Sequence, residues 1–425
     1  MGMVQIMDRQ KDAYFTRNVG GVGAVEFFWG LGFPIVMEST FLQLFLKKLG
    51  ASSFAIGIVP SLFILGISIA PLFAAYLSYS YVRKKPLVAA LHVISGLAVF
   101  LFGVILHGLH DPDLVLTVFF ATYLLFSLCL GLAIPVWLDY VTRIFSERRT
   151  VPGLGYMMLA QNLGKIVASV FILKVVDAYA FSLTSSAWVF MATGGVFVFG
   201  SLFFVFTKEF EEETRRPPRP PFFRHTLATF NKVIANRPFL VYLAGDLDVY
   251  VILTALSFYA NYATGFFEVP APMAAGGFVA CIYAGSVTVN ILFGAMNLLS
   301  LKEKLYFSKG VTLTLLCLLI FIPHYWTFFL ISYLLGVGRA IRNMVYPPSV
   351  KKFVGRGEAT GHYAMASLLI LPVGSGLPLI FGHGLDLLSH LGADAYRLLF
   401  GFCALFVLST LYFTVKTDYS RSGGD

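Results

Sequence analysis

Charge is scarce in this chain. Asp, Glu, Lys and Arg together make up 12% of its 425 residues, where roughly 25% is usual for a soluble domain. A water-bounded surface cannot be built from so few ionic groups, which excludes the soluble enzymes. Cysteine is scarcer still. Its four copies (Cys129, Cys281, Cys317, Cys403) all fall in apolar segments without C-x-x-C spacing, so no disulfide framework and no metal site are expected. His92 and His362 also lack metal-ligand spacing and read as structural or interfacial residues near helix ends. There is no Walker-type phosphate loop, which argues against ATP as direct energy source. No cofactor is expected. The opening residues Asp8, Arg9, Lys11 and Asp12 are polar, with no cleavage site after them, so a removable signal peptide is not expected.

What the chain has in excess is apolar bulk. Hydrophobic residues make up 58% of it, with 43 Phe, and the mean hydropathy is +0.79. Apolar stretches of about 20 residues, enough to cross about 30 Å of hydrocarbon, recur from end to end. Inside a bilayer each backbone polar group must be paired within its own segment, so such stretches become helices. Twelve are expected: 18–46, 53–80, 86–107, 114–144, 152–177, 186–207, 238–264, 273–299, 307–323, 325–347, 359–383 and 394–415. The fold class is an all-α polytopic membrane protein.

The formal charge of +9 does not point to nucleic acid, because the basic residues sit in short loops. With twelve spans both termini share one side. That side carries 24 of the 31 Lys and Arg, and the other carries Lys47, Lys48 and Arg397. Lys165, Lys174, Arg339 and Arg342 fall within spans. The bias places both termini and the central loop in the cytoplasm, with the plasma (inner) membrane as expected location.

Residues 208–237 form the one long hydrophilic interruption. They carry Glu211, Glu212 and Glu213, then Arg215-Arg216-Pro217-Pro218-Arg219-Pro220-Pro221, a composition that favours a stiff linker. A proline-motif ligand for a partner is the alternative there. The expected domains are 1–207, the linker 208–237, and 238–425. The two large domains also resemble each other. Residues 51–87 align with 271–307 at a constant shift of 220, matching Gly57 with Gly277, Val59 with Val279 and Lys84 with Lys304. Farther on, Gly131-Leu-Ala-Ile134 meets Gly338-Arg-Ala-Ile341. Phe145, Arg148 and Gly153 then meet Phe353, Arg356 and Gly361, at shifts of 207 and 208.

Twelve spans, a basic linker after the sixth, and short basic loops after the second and eighth resemble the major facilitator superfamily. The resemblance covers essentially the whole chain. Of the superfamily's usual motif between the second and third helices, only the basic end, Arg83 and Lys84, is present. Tyr79 and Val82 stand where an Asp and a Gly are usual. The Gly/Pro-rich fifth-helix motif of many drug/proton antiporters is missing, since Gly153, Gly155 and Gly164 have no proline among or just after them. The resemblance implies two parallel six-helix repeats with a substrate site near the midplane. It also implies that helices 1, 4, 7 and 10 line that site, helped by 5 and 11.

A charge at mid-bilayer costs at least roughly 2.5–3.5 kcal/mol, so each needs a partner or a wet cavity. In helix 7, Tyr242, Asp246, Tyr250, Thr254, Ser257 and Asn261 recur every three or four residues and make one polar face. In helix 1, Glu26, Trp29, Phe33 and Met37 join an acid to aromatic surface. The shift of 220 carries Glu26 onto Asp246, so these two acids are the coupling candidates, each set against a static ion pair. Candidate substrate contacts are Lys165, Gln161 and Asn162 in helix 5, Arg339 and Arg342 in helix 10, and Trp29, Phe33, Tyr250 and Thr254. Guanidinium forks suit carboxylate or phosphate. The plain alternative for the cations is neutralisation by Asp139, Asp246 or Asp248, and for the aromatics, packing. Asp139, Asp248, Arg148 and Arg356 are the candidate gate or structural ion-pair residues.

The expected function is secondary active transport of a small anionic or zwitterionic solute by alternating access, with H+ or another cation as coupling ion. The protein is expected to work as a monomer in the lipid bilayer. An exporter or flippase of an amphipathic molecule, and a non-transporting sensor or scaffold, are the alternatives.

Overall fold

The computed structural model describes residues 2–38, 40–79, 83–210, 221–296, 298–354 and 359–417. Among them there are helices and turns and no strand. Twelve helical segments are long and apolar enough to cross a membrane: Phe15–Lys48, Ser53–Ala74, Lys85–Gly108, Pro112–Val141, Pro152–Tyr179, Leu183–Phe206, Arg237–Phe266, Met273–Phe293, Leu301–Phe321, Tyr325–Val350, Met365–Leu387 and Ala393–Lys416. They are called the first to twelfth spans below. The linker's acidic and proline runs lie at 211–221, of which only Pro221 falls among the described residues.

Local chemistry sets the span ends. The fourth span opens with Asp111 accepting from the Asp113 amide and Pro112 in the first turn, where a missing N–H costs nothing. The ninth opens on a reciprocal Ser300/Glu303 capping box. That cap starts the helix six residues earlier than hydropathy suggests. Lys309, which the charge tally treats as a loop residue, is therefore a buried member of the span. Two other spans are interrupted. The first stops being helical between Val36 and Phe41, and the seventh is broken at Leu247. The eighth has π-helical turns at Met273–Gly277 and Asn290–Ala295.

The spans form the two pseudo-symmetric six-helix bundles of a transporter fold. Contacts divide the chain into two compact units. The first comprises Met1–Met37, Leu65–Phe171 and Phe181–Phe222; the second, Glu38–Ile64, Ile172–Ala180 and Phe223–Asp425. Within the first unit the third span packs on the fourth and sixth, and the first on the sixth. Within the second the ninth packs on the tenth and twelfth, and the seventh on the twelfth. Each pair in one unit is the repeat-equivalent of a pair in the other. Glycines make the closest crossings. A methyl on Gly131 would run into the Gly66 carbonyl between the fourth and second spans, and one on Gly336 would run into Ile282 between the tenth and eighth. Close backbone approach through small residues is how helices associate in lipid, where the hydrophobic effect gives no net drive.

Candidate functional site

In the first unit, Gly30 and Gly164 bring the first and fifth spans into contact. A methyl on Gly30 would strike the Gln161 carbonyl, and one on Gly164 the Phe27 carbonyl. This closeness lets the buried Glu26 meet Gln161, whose Nε2 donates to Glu26 Oε2 over 2.6 Å. The Lys165 ammonium stands 5.4 Å from the Phe33 ring centre, one turn along the fifth span, and is one of the charges Glu26 feels. Asn162, next to Gln161, is half-buried.

Glu26 and Gln161 open into a cavity of about 160 Å³ whose other walls include Trp29, Phe33, His92, Trp137 and Met158. Trp29 is fixed by stacking on Phe197 (centroids 4.4 Å), by His92 edge-on at 4.6 Å, and by its Nε1, which donates to Ser201 Oγ. His92 Nδ1 lies 2.8 Å from the Val88 carbonyl. A carbonyl can only accept, so Nδ1 carries the proton and Nε2 is left as an acceptor. Trp137 Nε1 is buried and has no hydrogen-bond partner.

The second unit is organised by ion pairs. At the Leu247 break, Asp246 and Asp248 face different neighbours. Asp246 Oδ2 accepts from Arg342 Nε (3.2 Å) and Nη2 (3.0 Å) on the tenth span, and that guanidinium also lies 4.1 Å over the Tyr346 ring. Asp248 Oδ1 accepts from Lys309 Nζ at 2.9 Å on the ninth span. The same ammonium donates to the Gly245 carbonyl and to Thr410 Oγ1 on the twelfth. Arg339 donates to Glu38 Oε2 at 2.7 Å, and the Tyr283 hydroxyl donates to Glu38 Oε1 at 2.5 Å. Tyr250 is buried where the seventh span crosses the eleventh at Gly374, and Thr254 Oγ1 donates back to the Tyr250 carbonyl.

Asp139 accepts from Arg143 Nε (3.0 Å) and lies 3.6 Å from Lys84 Nζ, so the basic end of the second-to-third loop is fastened to the fourth span. Glu209 continues this by accepting from the Lys84 and Lys85 amides. The Arg148 side chain and all of Arg356 lie outside the described residues. No cluster of three or more metal-ligating side chains occurs among the described residues.

A family model described as Major Facilitator Superfamily matches residues 28–301, nearly two thirds of the chain. The chain belongs to that superfamily. It is a transport protein and not an enzyme. Among solved structures, this facilitator is similar to a point mutant of the nucleoside transporter NupG with a TM-score of 0.72 and 14% identity, covering 94% of this chain and 99% of that one. It is also similar to a bacterial homolog of the human lysosomal transporter Spinster in an inward-facing, unoccupied conformation (TM-score 0.65, 11% identity, 97% of both chains). A POT family transporter in complex with 5-aminolevulinic acid has the same fold (TM-score 0.65, 13% identity, 94% of this chain, 96% of that one). No curated protein matches the facilitator in sequence.

The facilitator's two repeat-related acids have unlike partners. The shift of 208 carries Gln161 onto Leu369 and Lys165 onto Val373, so the eleventh span offers Asp246 neither amide nor cation at those places. Asp246 pairs instead with Arg342, whose counterpart at the shift of 207 is Pro135. Four residues of these sites are not apparent from sequence periodicity. Glu38 opens a short polar stretch, Glu38-Ser39-Thr40, inside a span that reads as one helix by mean hydropathy. Trp137 sits in an aromatic-rich span with nothing to distinguish it. His92 reads as an interfacial residue, yet it is buried beside Trp29. Lys309 falls within the expected span 307–323 but is counted with its basic end, and the helix start at Leu301 carries it farther inward.

Proposed function

We propose that this facilitator is a secondary active transporter that moves a small zwitterionic solute by alternating access, with Glu26 as its coupling acid. The observation that carries this reading is the contrast between Glu26 and the other buried charges. Arg339, Arg342 and Lys309 each sit on a carboxylate, so a bare anion would have to strip a buried cation of its partner. A solute with charges of both signs asks for no such net loss. Glu26 is held by a neutral amide at the edge of a cavity. Its protonation requires only that one hydrogen bond rearrange, whereas protonating Asp246 would strand a guanidinium in low dielectric. Lys165, close to the same acid, gives the solute's acidic end a charge to meet.

In this reading residues 1–207 and 238–425 are the two halves, 208–237 their linker, and the termini and linker face the cytoplasm of a cell membrane, as the distribution of basic residues supports, 23 to 3 once Lys309 is counted with its span. The test is uptake by the reconstituted monomer in liposomes, using a pool of labelled amino acids and small amine–carboxylates under an imposed proton gradient. Wild type accumulates at least one of them uphill. Glu26→Gln keeps solute exchange and loses the uphill step. Undiminished accumulation by that variant removes Glu26 from coupling. A wild type that moves nothing would leave a transporter-like sensor or scaffold.

A further inference from the structure

We infer that the cavity of the first unit is a cation-recognition site for a compact organic ammonium that also carries a hydrogen-bond acceptor. The inference rests on the transport reading only in taking this cavity as part of the solute path; the recognition chemistry comes from the cavity wall.

The wall has two kinds of surface. Trp29, Phe33 and Trp137 present aromatic rings around one carboxylate, Glu26. Aromatic faces attract cations through the ring quadrupole, by about 0.5–2 kcal/mol each as desolvation increases, and they hold quaternary and substituted ammonium groups in this way. The polar groups divide by sense. Glu26 and His92 Nε2 accept; the Trp137 indole N–H donates, as does the Lys165 ammonium, 5.4 Å from the Phe33 ring centre and close enough to act on Glu26. An ammonium satisfies acceptors only, so a solute made of an ammonium alone would leave the indole N–H as it is, buried and unpartnered. Leaving a buried donor unmade costs about 1–3 kcal/mol. The preferred solute therefore has its acceptor (an ether, hydroxyl or carboxylate oxygen) at the end away from nitrogen.

Size narrows the class further. The cavity measures about 160 Å³, and cavities of about 150 Å³ take a benzene-sized molecule. A benzylamine-sized ammonium fits, while a peptide or a nucleoside would have to leave most of its atoms outside. Gln161 is the native stand-in: its amide N–H occupies the Glu26 oxygen that the ammonium would take. Binding then exchanges a neutral donor for a charged one on the same carboxylate. Ammonium and proton compete for that carboxylate, which makes exchange of one for the other the natural mode of this site.

The test uses full-length protein in nanodiscs, without any gradient, and probes of matched shape: benzylamine, benzyl alcohol and benzoate, with 4-(aminomethyl)benzoate as the acceptor-bearing amine. Binding is read as the shift in melting temperature and as an equilibrium titration. Benzylamine is expected to bind about 10- to 100-fold more tightly than benzyl alcohol, the margin of one charge-assisted hydrogen bond, and 4-(aminomethyl)benzoate more tightly again. Glu26→Gln, which keeps an amide pair with Gln161, should fold normally and erase the preference for amine over alcohol. Trp137→Phe should keep that preference and lose the gain from the distal acceptor. Equal binding of amine and alcohol to wild type, or tighter binding of benzoate, would overturn the inference and leave an apolar crevice. Amine binding by a protein that moves no solute sustains the site and sinks the transport reading. Uphill transport by a protein indifferent to benzylamine does the reverse.

Discussion

Gly30 lies so close to Gln161 that a methyl group on its Cα would run into the Gln161 carbonyl oxygen. The 2.6 Å hydrogen bond between Glu26 and Gln161 depends on that closeness, because Gln161 sits at the crossing point itself and Glu26 one turn from it. Gly30→Ala must push the first and fifth spans apart. Overpacking of this kind costs typically about 1–3 kcal/mol. A lower melting temperature together with weaker amine binding is the expected outcome. Gly20→Ala in the same span, where nothing lies within 4 Å, is the control and should leave both unchanged.

The two acids of the seventh and first spans should respond differently to neutralisation. Asp246→Asn leaves Arg342 buried without its anion, which costs about 3–5 kcal/mol when one partner of a buried pair is removed. Glu26→Gln leaves no charge stranded. Thermal unfolding of the two variants in detergent should therefore show a large drop for Asp246→Asn and a small one for Glu26→Gln. Adding Arg342→Gln to Asp246→Asn should recover part of the loss. Equal drops would show that the Asp246–Arg342 pair contributes nothing special.

Lys309 gives a parallel case. Lys309→Met removes a cation with three hydrogen bonds, to Asp248, Gly245 and Thr410, and isolates Asp248. About 3–5 kcal/mol of destabilisation is expected. The double variant Asp248→Asn/Lys309→Met should be less destabilised than the sum of the single variants, as for residues in direct contact. Strict additivity in a double-mutant cycle would refute the pairing.

The second span is capped from another helix. Asp386 accepts from the backbone amides of Ser53 (2.8 Å) and Phe54 (2.8 Å), the two that the N-cap Ser52, whose Oγ accepts from the Ala55 amide, leaves open. Asp386→Ala should cost about 0.5–2 kcal/mol, the range for a lost cap. Hydrogen exchange at the start of the second span would speed up, with the ninth span's own Ser300/Glu303 cap unaffected. No change in exchange at Ser53 and Phe54 would contradict the assignment.

The spans are legible in the sequence because lipid leaves the backbone no alternative to helices, and the charge bias counts loops rather than residues. What hydropathy cannot see is where a run of apolar residues stops being one rod. The first span's interruption before Phe41 falls at Glu38-Ser39-Thr40 and the seventh's at Leu247 between Asp246 and Asp248, but averaged over about 20 residues each window stays apolar enough to read as one span. Glu38 escapes notice for the same reason. The shift of 220 pairs Glu26 with Asp246 as positions, but a repeat predicts positions and not partners. The partners come from the fifth and tenth spans, where Gln161 and Arg342 stand opposite Leu369 and Pro135 of the other repeat. The polar stripe of the seventh span is visible as a stripe. Its burial, with Thr254 and Ser257 donating to carbonyls one turn back, is not, because a hydroxyl that satisfies itself has the same spacing as one that faces water.

The broken helix at Leu247 joins more than its own two segments. One residue on either side of it, two carboxylates are moored to different helices, and the ammonium on one mooring also grips the twelfth span at Thr410. A small rotation of the chain at that joint would pull on three helices together. Release of Arg342 would thus be relayed across the second unit by short rigid links, with no need for any helix to travel far.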